Sequence, residues 1–312
     1  MLIERSAPGK VILCGEHSVV YGEPAIAAPV STLRAIATIA ATETALKRGL
    51  RLIAADLEES LYLGEAPATH PLAAIVRQVL NHLGGPPAPN AILTVRSALP
   101  IAGGLGSGAA ISVAAAHALA AYLGHELSPE TVSALAYEVE RLHHGTPSGI
   151  DNTVIAHERP VYFVKGSAPE LFTIAAPFTL LIANSGIAAS TREAVAGVRR
   201  RYEAAPTEYV ARFARMGALA QAAREALTQG QWATLGPLLD ENHALLQAIG
   251  VSLPALDRLV EAARQAGALG AKLTGAGGGG NVIALVTPET AGEVCLALEK
   301  AGAHQVWQTT VG

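Results

Sequence analysis

The sequence predicts an α+β protein built as two lobes, residues 1–170 and 171–312. Strand-like runs crowd the first half, helical runs crowd the second, and the composition changes after Ser167-Ala-Pro169. Segregated strands and helices mark α+β architecture rather than an alternating parallel sheet. With 312 residues, 50% hydrophobic and 15% charged, the chain can bury a substantial core and is not of disordered composition. A net charge of −4 without a basic run argues against nucleic acid or an anionic membrane as partner. The longest apolar run, 109–123, is shorter than the roughly 20 residues that span a bilayer. The opening Met-Leu-Ile-Glu-Arg lacks the pattern of a secretory signal. Cys14 and Cys295 are isolated and lack metal spacing, so a reduced, cytoplasmic setting is expected.

Residues 2–40 read as strands, the first running into Ser6-Ala-Pro-Gly-Lys10-Val-Ile-Leu-Cys-Gly15-Glu-His-Ser-Val-Val20-Tyr-Gly22. Lys10 and the pair Glu16-His17 interrupt that apolar segment, and buried charge is costly unless paired. Residues 32–63 alternate as further strands, with a turn near Lys47-Arg48-Gly49. Thr69-His-Pro71 opens an amphipathic helix to about Leu83, with threonine as cap and proline early in the first turn. A loop, 84–89, precedes the strand Ala91–Ser97 and the stretch Pro100-Ile-Ala-Gly-Gly-Leu-Gly-Ser-Gly-Ala-Ala110. Ile111 to Leu123 then has only Ser112 and His117 polar, which is a helix buried on every side. Ser128-Pro129-Glu130 starts another helix, with Val132, Leu135, Ala136, Val139 and Leu142 as its apolar stripe and Glu140 at the margin. It ends at His144-Gly145, and Thr146 to Asn152 follows as a polar turn before a strand at Val161–Val164. Phe178–Ala183 is a buried strand, and residues 192–248 are mostly helical, punctuated by Pro206 and Gly230. A helix from about Pro254 to Ala266, a strand at Val282–Val286 and a helix capped from Thr287-Pro288 close the chain.

The chemistry lies with the glycines. Gly103, Gly104, Gly106 and Gly108 remove side chains at the start of a helix, whose first N–H groups lack internal partners and suit a phosphate. A tight turn needing positive φ accounts for the same pattern. The loop is neither a Walker motif nor a clean G-x-G-x-x-G. The second stretch, Gly270-Ala-Lys272-Leu-Thr274-Gly-Ala-Gly-Gly-Gly-Gly280-Asn281, has five glycines between 275 and 281. Glycine is entropically expensive to order, so such a run lets a backbone meet a ligand or another backbone. The polar groups at glycine-flanked positions are Lys10, Glu16, His17, Ser107, Glu140, Asp151, Thr191, Arg192 and Lys272, and no G-x-S-x-G elbow accompanies them. Glu140 and His144 lack a third ligand for zinc, and His143 and His144 read as a helix C-terminal feature. Such a set can hold a polyphosphate, a divalent cation and a hydroxyl. Phosphoryl transfer needs those parts, because its catalysis is mostly positioning and charge neutralisation.

These segments resemble the GHMP small-molecule kinases. The likeness is carried by Ala7–Gly22, by Pro100–Ala110 with His144–Asn152, and by Lys272–Gly280, with support from Glu241–Leu246 and Gly250–Pro254. The resemblance implies an N-terminal lobe like domain 2 of ribosomal protein S5, a ferredoxin-like C-terminal lobe, and an active site between them. It implies ATP as co-substrate and Mg²⁺ as cofactor. Gly103, Gly104, Leu105, Gly106, Ser107, Gly108 and Ala109 would wrap the ATP phosphates, and Glu140 with Ser107 would hold the metal. Asp151 would accept or orient the proton of the acceptor hydroxyl, with Lys10 beside it; as a weak base, orientation matters more than abstraction. Glu16, His17 and Thr191 would line the acceptor side, and Gly275 to Gly279 its wall. Residues 15–22 and 144–151 further imply mevalonate as acceptor, phosphorylated at its C5 hydroxyl in isoprenoid synthesis. The alternatives are a phosphomevalonate or sugar kinase of the same family, or a non-catalytic sensor of ATP and a metabolite. A homodimer is the family-level expectation, and the loops near 45–70 and 100–106 are the candidates for the adenine.

Three positions depart from the family pattern. Gly108 stands where a second serine usually meets Mg²⁺, Asn184 where an Asp is common, and Asn281 where a cysteine often follows the last glycines. Either Ser107 or a water takes that place, or the metal rests on Glu140 and the phosphates alone; Mg²⁺ keeps several waters readily, so activity is expected to survive the first change.

Overall fold

Two long strands, β1 (Leu2–Cys14) and β2 (Ala25–Ala41), each begin in one compact unit and end in the other. The computed structural model describes residues 2–42, 49–100, 103–144 and 147–312, and the side chains of His143 and His144 lie outside that description. The expected turn at Lys47-Arg48, the loop residues Ile101 and Ala102, and Gly145-Thr146 also fall outside the described residues. One unit comprises Met1–Gly9, Leu33–Pro100 and Gly106–Glu158; the other comprises Lys10–Thr32, Ile101–Leu105 and Arg159–Gly312.

In the first unit β3 (Arg51–Ala54) pairs antiparallel with β4 (Glu59–Tyr62) and parallel with β5 (Ala91–Ser97). β5 in turn pairs antiparallel with the second half of β2, Ala35 opposite Ser97. Leu33, Ala35, Ala37 and Ile39 are buried on alternate positions of β2, as are Ala91, Leu93 and Val95 on β5, so one sheet face is apolar. Against it lies α2 (Ser107–Tyr122), which also packs on α1 (Pro71–His82), α3 (Pro129–His144) and α4 (Ile150–His157). Its alanines at 109, 110, 114, 115, 116, 118 and 120 are all buried, and their small size lets neighbours approach on every side.

Three details differ from the sequence expectation. The cap of α1 is His70, whose Nδ1 accepts from the Ala73 N–H at 3.3 Å, because Pro71 takes the first helical position. The stripe of α3 ends with Val139, and Leu142 is exposed. Asp151 and Asn152 lie in the first turn of α4 and not in an irregular turn. Gly149, at φ 90°, starts that helix, and eight residues are too few for a helical repeat to show in the sequence.

In the second unit the first half of β2 pairs with β6 (Val161–Phe163), and β6 with β7 (Glu170–Leu171). A separate antiparallel sheet has the order β11 (Gln305–Val311), β8 (Phe178–Asn184), β10 (Asn281–Val286), β9 (Gly270–Thr274). The helices of this unit are α5 (Thr191–Ala204), α6 (Pro206–Gln229), α7 (Trp232–Ala248), α8 (Pro254–Gln265) and α9 (Ala291–Lys300). Leu181, Met216, Leu246, Leu259, Val282 and Val294 share one core among them. The chain closes on β11 and not on the helix expected after Thr287. α9 starts at Ala291, and β11, an edge strand, is too polar to announce itself by an apolar face.

Helix α7 lies directly on β9 because two glycines face each other. A Cβ on Gly236 would fall 2.0 Å from the Leu269 carbonyl oxygen, and one on Gly270 would fall 2.1 Å from that of Gly236. Neither glycine has positive φ, so the requirement is purely one of space. Gly236→Ala and Gly270→Ala are each expected to cost about 1–3 kcal/mol by overpacking, read as a fall in the urea midpoint. Gly292→Ala on α9, where nothing lies within 4 Å of the added carbon, is the control expected to leave the midpoint unchanged or slightly raised.

Candidate functional site

The first unit gathers Ser107, Gly108, Ala109, Glu140 and Asp151 from three helices. α2 begins after Gly106, which sits at φ 75° and offers no side chain to cap the first N–H groups. Those donors therefore point out of the helix end with their partial positive charge. Ser107 Oγ lies 3.4 Å from Ser97 Oγ, and Ser97 Oγ also accepts from the Leu99 N–H at 3.2 Å. Ser97, at the end of β5, thus fixes the hydroxyl at the start of α2; the sequence singled it out by nothing except its place before the glycines. Gly108 is exposed, and a Cβ built on it would lie 3.2 Å from Glu140 Oε1. The half-buried Glu140 carboxylate therefore stands beside the first turn of α2.

Asp151 is held by its neighbour. Asn152, 4% exposed, donates from Nδ2 to Ser133 O at 3.1 Å and Ser133 Oγ at 2.9 Å. Thr153 Oγ1 donates to Gly149 O at 2.7 Å and closes the first turn of α4. Ser133 and Glu140 are seven residues apart on α3, which is two turns along one face. The lock between Asn152 and Ser133 thus sets α4, and Asp151 with it, on the face of α3 that also carries Glu140.

The second unit gathers Lys10, Glu16, His17, Gly103 to Leu105, Lys272 and the glycine run. Lys10 is buried on β1, and its N–H donates to Leu105 O at 3.0 Å, so the strand pins the loop. Glu16, Lys272 and Asn242 form one buried cluster. Lys272 Nζ pairs with Glu16 and also donates to Leu273 O at 2.6 Å and Ile12 O at 3.3 Å. Asn242 Nδ2 donates to the other Glu16 oxygen at 2.9 Å. Both oxygens of Glu16 are thus engaged within the unit, and Lys272, grouped by sequence with the ligand-facing polar residues, is fully buried. Thr274 Oγ1 accepts from the Ile12 N–H at 2.9 Å and donates to Ile12 O at 3.0 Å, tying β9 to β1.

His17 follows Gly15, whose added Cβ would meet Pro24 O at 2.4 Å, and itself adopts φ 61°. Its Nε2 lies 2.8 Å from Ala276 O, so that nitrogen carries the proton and donates. Burial pushes the ring down to about 4, against the hydrogen bond to Ala276, which favours the protonated form. Thr191 is exposed at the first position of α5, whose cap Ser190 accepts from the Glu193 N–H at 3.3 Å. Cys14 is fully buried, which pushes its thiol up to about 12 and leaves no nucleophile there.

The two glycine-rich stretches meet backbone to backbone. A Cβ on Gly275 would lie 3.3 Å from Gly104 Cα and O, and one on Gly280 would lie 3.0 Å from Gly103 O. Asn281 Nδ2 donates to Gly103 O. Of the two explanations open for the run from 275, packing against another backbone is therefore one it fulfils.

Residues 71–158 match the family described as GHMP kinases N terminal domain, and residues 223–304 match GHMP kinases C terminal. Mevalonate kinase of Thermococcus sibiricus is 38% identical, over 97% of this chain and 94% of its own. That of Pyrococcus furiosus is 36% identical, over the same shares of the two chains. Among solved structures, Methanococcus jannaschii mevalonate kinase superposes with a TM-score of 0.85 at 28% identity, over 100% of this chain and 97% of that one. L. major mevalonate kinase in complex with R-mevalonate does so with a TM-score of 0.84 at 28% identity, over 99% and 95%. No described helix is long and apolar enough to cross a membrane.

His17 and the similarly buried His243, also held down to about 4 mainly by burial, are neutral in the folded protein at neutral pH. Their folded values lie below the ordinary 6.5, so the unfolded chain binds more protons between those values. Their stabilisation is complete above about pH 6.5 and is lost as pH falls toward 4. Thermal unfolding followed from pH 7.5 to 5 should show this fall, and His17→Gln and His243→Gln should each flatten it by about one proton.

Proposed function

Because the chain belongs to the GHMP kinase family, with mevalonate kinases as relatives along nearly its full length, we propose that it transfers the γ-phosphoryl group of ATP to the C5 hydroxyl of mevalonate. The observation that carries this reading is the uncapped start of α2 beside the Glu140 carboxylate. A helix N-terminus stripped of side chains suits the phosphates. An oxygen donor 3.2 Å from the Cβ position of Gly108 suits a hard divalent cation bound to them.

In this reading Gly103 to Ala109 bind the phosphate chain with backbone N–H groups, held from behind by Lys10 N–H on Leu105 O and by Ser97 on Ser107. Glu140 and the Ser107 hydroxyl are the protein ligands for Mg²⁺, which neutralises phosphate charge when bound. Asp151 orients the C5 hydroxyl and takes its proton as the new O–P bond forms; the bond to the β-phosphate oxygen breaks and ADP leaves. Lys10 places positive charge at the reacting oxygens. His17 and Thr191 serve the acceptor side. Glu16 serves it indirectly, because its carboxylate is spent on Lys272 and Asn242 and holds the segment that presents His17. A homodimer and a cytoplasmic setting belong to the same reading.

ADP release with ATP and Mg²⁺ should require mevalonate and not phosphomevalonate or galactose. Asp151→Ala should lower kcat by about 10²–10⁴-fold. Turnover with galactose or phosphomevalonate in place of mevalonate would overturn the assignment. Gly108→Ser should retain activity and reach half-maximal rate at lower Mg²⁺, because the hydroxyl adds a donor next to Glu140 while that flexible carboxylate gives way by a few tenths of an ångström.

A further inference from the structure

Two of the positions that depart from the family pattern touch each other. Asn184 ends β8 and Asn281 begins β10, and the two stand opposite in the antiparallel register. Asn184 is 9% exposed and Asn281 is fully buried. Asn184 Oδ1 accepts from the Gly186 N–H at 2.8 Å, Asn184 Nδ2 donates to Asn281 Oδ1 at 3.1 Å, and Asn281 Nδ2 donates to Gly103 O. The series has one polarity. It starts from a backbone donor and ends on a backbone acceptor, so both amide orientations are dictated from the ends.

The backbone on either side runs in parallel with this relay. Ser185 N donates to Gly280 O at 2.9 Å, and Gly280 N donates to Ile187 O at 2.9 Å. Gly279 leaves room for Ile187, whose carbonyl oxygen would lie 2.6 Å from a Cβ there. The loop after β8, which leads to Thr191, is therefore joined to the glycine run from 275, and that run is joined to Gly103.

We propose that Asn184 and Asn281 are a positioning pair that sets the phosphate-binding segment and the loop toward Thr191 in one fixed register. The proposal rests on the kinase reading for what those two segments hold. Neither amide is a catalytic residue; both act through the backbone they bind. A carboxylate at 184 would still accept from Gly186 but would face the Asn281 oxygen. Turning the Asn281 amide to meet it would set that oxygen against Gly103 O. The pair is thus an all-amide solution whose members depend on each other.

Mg·ADP titration by calorimetry, with steady-state kinetics beside it, tests the pair. Asn184→Ala and Asn281→Ala should each weaken Mg·ADP and raise the KM for ATP by about tenfold, the size of a lost buried hydrogen bond. The double variant should lose little more than either single one, because each breaks the same relay. Asn184→Asp, which opens no cavity, should show the same loss of affinity and covers the case in which an alanine variant fails to fold. Unchanged Mg·ADP affinity in Asn184→Asp and Asn281→Ala, or additive losses in the double variant, would overturn the proposal. Nucleotide binding is read without acceptor, so a wild-type enzyme that rejects mevalonate overturns the substrate assignment and leaves this test intact.

Discussion

Lys272 and Glu16 share a site closed to water, with side-chain exposures of 0% and 1%. Taking two charges out of water is expensive, and their attraction offsets the cost only if the remaining donors and acceptors are satisfied. Here they are. The three ammonium protons of Lys272 have Glu16, Ile12 O and Leu273 O as partners, and the second Glu16 oxygen has Asn242. The groups come from β1, the turn after it, α7 and β9, so the arrangement exists only when all four are in place. Loss of either charge would strand the other, at about 3–5 kcal/mol.

What depends on that pair is the conformation of the segment after it. His17 holds a positive φ that a residue with a side chain adopts at a cost, and such strain persists only where the surroundings over-determine it. Gly15 pressed on Pro24, Glu16 anchored below and the ring on Ala276 O supply that determination. The direct packing of α7 on β9 through Gly236 and Gly270 brings Asn242 up to Glu16 and His243 up to Leu273. His243 accepts the Leu273 N–H at Nδ1, which leaves its Nε2 proton for Asp257, and so joins β9 to α8.

The first unit solves a different problem, that of setting the Glu140 carboxylate beside a bare helix end. A helix of small residues, α2, tolerates neighbours on all sides, and a glycine at 108 lets Glu140 stand close. α4 is too short to be stable alone, and the Asn152 amide on Ser133 gives it its place. The placement of the residue proposed to act thus uses the hydrogen-bonded side chain next to it together with the buried Ile150, Val154 and Ile155 of the same helix.

Much of this was legible in order along the chain. Strands within residues 2–40 and at Ala91–Ser97, the buried helix after the glycines and the break at Pro206 follow from residue type and period. The α4 helix and strand β11 were not legible, because eight residues carry too little period and an edge strand too little apolar contrast. Two roles were also hidden. Lys272 and Glu16, visible as charges in apolar company, bond to each other across 256 residues of chain. Asn184 and Asn281, visible only as departures, form a contact that needs β8 and β10 in register. By itself the sequence determined which residue types stand at which bends, and with that the family and the class of chemistry. Tertiary structure alone decided which polar groups satisfy one another inside the fold, since partners for buried charges and amides are set by packing in space and leave no spacing rule in the chain.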